Sequence, residues 1–503
     1  MTVNVSFIEQ QIISHESMLK TIIQANDFLN KGNNRSAIAT YLTDYKGYMS
    51  SIPLETAIIN LNKQSWNALI NSTGIADVMP EKRRSEWRDQ EKWIEFNEDN
   101  VKSTLLALLK EQGLFTAEKV DGIFRGLSKS HVTNQPQGFY KRCIFTLSSR
   151  KGEIHDLRFV IAKLVGRDTK VFTYYDTDRM LDRVATDGQW VEVDGGAFKI
   201  RRYQVGTAHI EFHPDIAWQL NSILATIHGE AIPESFKRKP EKEKKKIKEV
   251  ALIDDLIPFE VINLFHNIRQ AYELIGNSYN GRRVAIKNTF DCSHHQKDKY
   301  LVARFDSVMT LLGGICKHGY RWQFEYDARD VIDHVITHGT VPNQKSHQFY
   351  PTNNFLALEA SLWAEIKDED TVLEPSAGQG AIAAHLPQER TTLVEVSELQ
   401  CEILKAKGFS DVVNDDFIKF AEKTEKKFSV CVMNPPFSEN RALLHLTTAA
   451  SLLEDGGRLV AILPSSAVNY DFPVGFEVEL STIRKNQFKG TSVSVVMVKL
   501  TKI

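Results

Sequence analysis

The sequence predicts an α/β chain whose last third is a mostly parallel, doubly wound sheet, preceded by an α+β N-terminal domain and a helical connecting region. Three observations carry that reading. Apolar runs near 371–374, 391–396, 412–416 and 428–434 each end in an acid or an amide, at strand-to-strand spacing. A glycine-bearing turn follows the first of them. Upstream, helical periodicity gives way to strand patterns after about residue 140.

Taken in order, residues 1–235 read as one mixed domain. Helices are expected over Ser14 to Leu29, Leu54 to Asn71 and Val101 to Leu109, and strands over Arg142 to Leu147, Leu157 to Leu164, Gly196 to Tyr203 and Ala208 to Phe212. A helix from Pro214 to His228 follows. Lys199, Arg201 and Arg202 beside Tyr203 suit a phosphate or stacking contact, or simply an exposed strand face. Residues 236–250 are a linker, too charged to bury and too poor in apolar residues to fold alone; its lysines could equally form a strap on a phosphate backbone. Residues 251–345 form a mainly helical connection, with helices near Pro258 to Ile275 and Arg304 to Leu312. The remainder, 346–503, is the sheet domain; it adds a helix from Asn440 to Glu454, the turn Asp455-Gly456-Gly457, a strand from Arg458 to Leu463 and a last strand from Ser492 to Leu500.

With 503 residues the chain can bury two or three cores. A formal net charge of −2 excludes a protein that is basic all over, so any nucleic-acid contact must use local patches. No apolar stretch is long enough to span a bilayer, and Met1-Thr2-Val3-Asn4-Val5 lacks the charged-then-apolar order of a leader, so no membrane partner is expected. Five scattered cysteines suit a reducing, cytoplasmic setting. Cys292, His294 and His295 with Cys316 and His318 do not have the spacing of a zinc module, and the second group lies in an apparently helical stretch; no metal site is assigned.

The chemistry-bearing residues lie at the strand ends. Thr371-Val372-Leu373-Glu374-Pro375-Ser376-Ala377-Gly378-Gln379-Gly380 is an apolar strand, an acid and a glycine turn opening on a helix start at Ala381 to Leu386, the first half of a nucleotide-binding βα unit. It lacks both the third glycine of a dinucleotide fingerprint and a Gly-Lys-Ser/Thr, which argues against pyrophosphate or triphosphate. Glu395, about twenty residues on, is placed for ribose hydroxyls. Asp416 can take an exocyclic amine and Phe417 can lie against its ring. After the run Phe428 to Met433 come Asn434-Pro435-Pro436-Phe437. Two acceptors, the Asn434 amide oxygen and the Pro435 carbonyl, could bind an amino group and draw its lone pair out of conjugation, with Phe437 stacking on the base. Asn-Pro-Pro is also an ordinary way to end a strand in a turn.

In this order the motifs resemble those of class I S-adenosylmethionine-dependent methyltransferases, specifically the γ-type enzymes that methylate N6 of adenine in DNA. The resemblance covers about residues 345 to 503 and implies a Rossmann-like seven-stranded domain. It implies S-adenosyl-L-methionine as cofactor, held by Glu374, Pro375, Ser376, Ala377, Gly378, Gly380, Glu395, Asp416, Phe417 and Asn434. The segment Phe349-Tyr350-Pro351-Thr352 would close over the methionine end; it also reads as a proline-led helix entry with Thr352 or Asn353 at the cap. Catalysis is implied for Asn434, Pro435, Pro436 and Phe437, and DNA as the partner.

The chain departs from that family in three ways. Ser429 stands where an acid is frequent, Gln379 fills the variable position between the glycines, and only about 65 residues follow the catalytic motif. Target reading is therefore expected upstream. There, segments such as Ser65 to Gly74, Ser85 to Arg88, Asn97 to Val101, Phe124 to Ser128 and Gly206 to Ile210 resemble an uncharacterised domain fused to methyltransferases of phage and mobile elements, a setting that includes restriction-modification. RNA or protein-glutamine methylation, and a non-catalytic nucleic-acid-binding protein, are the competing expectations. Any partner nuclease stays open.

Overall fold

The structure, a computed structural model, describes residues 5–41, 53–73, 75, 79–90, 92–128, 131, 133–134, 136–147, 151–229, 231–239, 254–275, 282–292, 298–318, 320–343, 346–347, 350–437, 441–485, 487–488 and 493–503. The chain divides into two compact units, one of residues 1–191 with 196–242, the other of 192–195 with 243–503. Most of the charged linker, from residue 240 on, lies outside the described residues.

The first unit opens with helices α1 (Val5–Asn30), α2 (Asn34–Tyr41), α3 (Leu54–Thr73), α4 (Glu81–Arg88) and α5 (Glu98–Arg125). Strand β1 (Arg142–Thr146), helices α6 (Lys151–Leu164) and α7 (Tyr174–Arg183), strands β2 (Val191–Val193, of which Val191 belongs to this unit), β3 (Phe198–Arg202) and β4 (Thr207–Phe212), and helices α8 (Pro214–Leu224) and α9 (Glu234–Lys237) follow. The four strands form one sheet in the order β1-β4-β3-β2. The expected strand over Leu157 to Leu164 is a helix instead. Residues 154–162 are buried without a break, His155, Asp156 and Arg158 included, and a run buried on every side carries no period of burial to separate the two forms. Arg201 stacks over Trp190, 4.5 Å from the ring centre, and lies 5.4 Å from Tyr203, whereas Arg202 donates to the carbonyls of Leu181 and Val184.

The second unit begins with β5 (Asp254–Leu256), α10 (Phe259–Phe265), β6 (Ile268–Ile275), β7 (Arg282–Cys292), α11 (Lys299–Leu311), β8 (Ile315–Lys317), β9 (Arg321–Gln323), α12 (Arg329–His338) and β10 (Thr340–Pro342). Residues 251–345 are therefore not mainly helical: β6, β7, β9 and β8 make a four-stranded antiparallel sheet. The helix expected from Pro258 to Ile275 stops at Phe265, because the residues after it pair with β7 from Ile268↔Cys292 to Ile275↔Arg282. Cross-strand pairing overrides local helical periodicity here. Cys316 likewise sits in a strand, not a helix, and is exposed while Cys292 is buried; His294 and His295 lie outside the described residues.

The rest of this unit comprises α13 (Asn354–Trp363), β11 (Val372–Pro375), β12 (Thr391–Glu395), α14 (Glu398–Ala406), β13 (Val412–Asn414), α15 (Phe417–Lys423), β14 (Phe428–Met433), α16 (Arg441–Ser451), β15 (Leu453–Pro464), β16 (Phe476–Leu480) and β17 (Val495–Lys502). Seven strands align in the order β13-β12-β11-β14-β15-β17-β16. They are parallel from β13 to β15, and β17 runs antiparallel to both its neighbours. Every residue of β12 is buried, as strands covered by helices on both faces require. Separate apolar clusters fill the two faces, one around Leu373, Cys431, Leu446 and Leu459, the other around Leu356, Val372, Val430 and Val460. A third cluster joins Val331, Val335 and Ile336 of α12 to Leu399 and Ile403 of α14, so the connecting region packs on this domain. After Gly380 the helix start shrinks to a single 3₁₀ turn, Ala383–His385, since Pro387 cannot continue it. Among the described residues no helix is long and apolar enough to cross a membrane.

Candidate active site

The chain order reverses at β11, with β12 on one side and β14 on the other. Ligands of open α/β sheets bind outside the carboxyl ends of the strands at such a point. A cavity of about 630 Å³ lies there. Strand spacing sets its layout: Glu395 at the end of β12 and Asn434 just beyond β14 flank β11, roughly 10 Å apart, and Asp416 beyond β13 lies roughly 5 Å further.

Of the site residues expected from sequence, Tyr350, Pro351, Thr352, Glu374, Ser376, Ala377, Gly378, Glu395, Asp416, Phe417, Asn434, Pro435, Pro436 and Phe437 all line this one cavity. Pro375 and Gly380 do not. Pro375 is the last residue of β11, and Gly380, at φ +75°, serves packing: a Cβ there would come within 2.8 Å of Leu404 Cδ2. Phe349 lies outside the described residues.

The glycine turn is built around Glu395. Gly378, at φ +54°, donates its N–H to Glu395 Oε2 at 2.8 Å, and Ser397 donates to Oε1 at 2.9 Å. Burial pushes the Glu395 carboxyl up, and these two N–H groups oppose the shift. Glu374 is 2% exposed, and its Oε2 has no hydrogen-bond partner among the described residues. Burial first, and then the nearby Glu395, hold its carboxyl well above the usual range.

This predicts a pH-dependent stability. A carboxyl whose folded pKa exceeds its unfolded one contributes stability below the ordinary glutamate range and loses it as pH rises through the folded value. Within that window the loss approaches about 1.4 kcal/mol per pH unit, or roughly 3–6 °C in melting temperature for a domain of this size. Glu374→Gln should therefore gain on the parent chain in ligand-free melting as pH rises; parallel melting curves across pH would contradict it.

Thr352 joins the segment before α13 to the loop after β14 by accepting from Asn434 Nδ2 at 2.9 Å. Asn353, not Thr352, caps α13, accepting from Leu356 N at 2.8 Å. With its amide nitrogen engaged, Asn434 leaves Oδ1 buried and without a hydrogen-bond partner among the described residues. Phe437 is half-buried and meets Phe488 edge-on, ring centres 5.9 Å apart. Asp416 caps α15 through Oδ1, bonding Ile418 N at 3.0 Å and Lys419 N at 3.3 Å.

The cavity also takes residues that sequence reasoning missed, including Ser346, His347, Gln400, Arg441, His445 and Phe488. Arg441 and His445 are four apart on α16 and share a face, a spacing that could have exposed them. Burial pushes His445 down to about 4, so its ring is neutral near Ser376, 3.3 Å away, and Phe417. Gln400 is 2% exposed and neither side-chain polar atom has a partner among the described residues. His347 bonds Asp254 at 2.9 Å through Nε2. Phe488 and His347 carry no local signal, being brought in from loops.

Comparison with known proteins gives two kinds of match. Residues 58–230 match the family model described as "Domain of unknown function (DUF4942)", which takes in the upstream segments quoted above. The chain is distantly homologous to methyltransferases: it is 24% identical over 156 residues to the tRNA1(Val) (adenine(37)-N6)-methyltransferase of Haemophilus influenzae (strain ATCC 51907 / DSM 11121 / KW20 / Rd), covering 24% of this chain and 67% of that protein. Among solved structures, an rRNA methylase from Streptococcus thermophilus aligns at 15% identity and a TM-score of 0.24, over 30% of this chain and 97% of its own. A chain of a type I R-M system aligns at 16% and 0.27, over 32% and 43%.

Proposed function

We propose that this chain is a DNA methyltransferase that uses S-adenosylmethionine to methylate N6 of an adenine taken out of its stack. The observation that carries the reading is the buried Oδ1 of Asn434, without a partner among the described residues and held in place by Thr352 on the wall of the cavity. An orphaned buried acceptor costs about 1–3 kcal/mol, which a ligand N–H would recover.

The cavity suits the cofactor in size, since about 630 Å³ falls within the usual range for small-molecule sites. Its donor set also suits. Each Glu395 oxygen accepts one backbone N–H and keeps a second lone pair for a ribose hydroxyl. Asp416 and Phe417 would flank adenine, and Tyr350 to Thr352 the methionine end. When bound, S-adenosylmethionine supplies an electrophilic methyl group.

The chain's own residues then do the rest by positioning. Asn434 Oδ1 accepts an N–H of the target amine and draws the lone pair away from the ring, so the nitrogen attacks without prior deprotonation. The same oxygen, with the Pro435 carbonyl, stabilises positive charge as it develops on that nitrogen, which sheds its extra proton to water once the methyl has left the sulfonium. Phe437, braced by Phe488, stacks on the base for about 1–3 kcal/mol, against a few kcal/mol for taking it out of a duplex. We assign target engagement to residues 1–235, with Arg201, Trp190 and Tyr203 as a stacked basic surface.

RNA is the second reading, and the tRNA-modifying relative speaks for it. The test offers the full chain tritiated S-adenosylmethionine with unmethylated DNA, RNA or protein, then digests the product to nucleosides. N6-methyladenine in DNA is expected. Label confined to RNA would transfer the assignment to the second reading, label in protein glutamine would defeat both, and no transfer to any acceptor would leave a binding protein.

A further inference from the structure

A cluster outside the cavity has the composition of a metal site. His334 and His338 lie four apart on α12, hence on one face, and Glu398 opens α14 opposite them. One ligand atom from each of the three residues falls within 4.8 Å of the other two. None of the three lines the cavity.

The tautomer of His338 is decided by its neighbour. Its Nδ1 sits 3.0 Å from the carbonyl oxygen of His334, which can only accept, so Nδ1 carries the proton. In the neutral ring Nε2 then presents a lone pair. That atom is buried, in a side chain 10% exposed, and has no hydrogen-bond partner among the described residues. The group facing it is the Glu398 carboxylate, with Oε1 at 3.7 Å, beyond hydrogen-bonding range. In that form the lone pair opposes a carboxylate oxygen, an unfavourable contact that a cation lying between them would relieve. The Nδ1–H bond to a backbone carbonyl is also the arrangement that orients metal-bound histidines. Lys405, one turn beyond Glu402 on α14, is engaged by Glu402 at 2.8 Å.

The geometry points to a divalent transition-metal site formed by His334, His338 and Glu398 that clips α12 onto α14. Two imidazoles and a carboxylate suit zinc, cobalt or nickel rather than magnesium or calcium. Tetrahedral bonds of about 2.0–2.2 Å would require the three groups to draw together slightly. The two rings stack with centres 3.6 Å apart. An ion there would act on the cavity indirectly. The segment that it would hold starts three residues after Glu395 and carries Gln400 on the cavity wall, while α12 leads through β10 to Pro342 on the same wall.

The test uses the full chain freed of metal by a chelator and then titrated with Co²⁺ alone. One equivalent should produce the visible d–d absorption of a low-coordinate site, and Zn²⁺ should abolish it by displacement. Glu398→Gln, at an exposed position, should keep the metal-free melting temperature and weaken Co²⁺ binding at least about tenfold. His338→Ala should lose the absorption. Zn²⁺ should raise the melting temperature of the parent chain and not of His338→Ala. Absence of d–d absorption at one equivalent would overturn the site, as would spectra unchanged in both variants. A Glu398→Gln chain that melts lower without metal, with no Co²⁺ bound by the parent, would overturn it in favour of a protonated histidine paired with Glu398.

Discussion

Replacing Asn434 with alanine is expected to lower methyl transfer at least 10²–10³-fold, about the loss seen when one preorganised polar group is removed from a reacting centre. Cofactor affinity should change only a few fold, because the glycine turn and Glu395 are untouched. The reason lies in the division of labour within one amide. Its nitrogen is engaged by Thr352 at 2.9 Å, and its oxygen is the group left without a partner among the described residues. Thr352→Val should therefore be a milder version of the same defect, keeping the acceptor but freeing it to rotate. Single-turnover transfer of tritiated methyl groups, beside direct titration of the cofactor, separates the two effects. Transfer by Asn434→Ala within a few fold of the parent would remove the amide from the mechanism.

Glu395→Ala is expected to fail at the opposite end of the cavity and in the opposite parameter. Two backbone N–H groups, of Gly378 and Ser397, lose their acceptor, and any ribose loses its own. Hydrogen bonds to charged groups are worth about 1.5–3 kcal/mol each, so the cofactor dissociation constant should rise about 100-fold or more. Melting temperature should fall with it, since the turn from Ser376 to Gly380 holds positive φ at Ser376, Gly378 and Gly380 and is tied to Glu395. Calorimetric titration of S-adenosylmethionine checks the first effect and thermal melting the second. Unchanged affinity would mean that the acid only shapes the turn.

Legibility followed the kind of signal each residue carries. Glu374, Gly378, Glu395, Asp416 and Asn434 were readable because each stands at a strand end, where an acid, amide or glycine interrupts an apolar run. His347, Gln400 and Phe488 were not: two arrive on loops, and Gln400 faces inward from a helix whose pattern is ordinary. The misread segments share one cause. Over 154–162 the chain is buried all round, and over 268–275 it is largely exposed, so neither shows the half-buried alternation that separates helix from strand.

The sequence by itself determined the parallel strands, their order of acids and glycines, and hence the chemistry offered at each strand end. It could do so because burial on both faces and a reactive strand terminus are local properties, written in consecutive residues. Only the tertiary structure decided which acceptor is left unpaired among the described residues, that Gly380 packs by Leu404 off the cavity wall, and that two histidines of α12 face a glutamate of α14 some sixty residues away. Those facts depend on distances between segments remote in the chain, and packing sets such distances, not the spacing of residues along it.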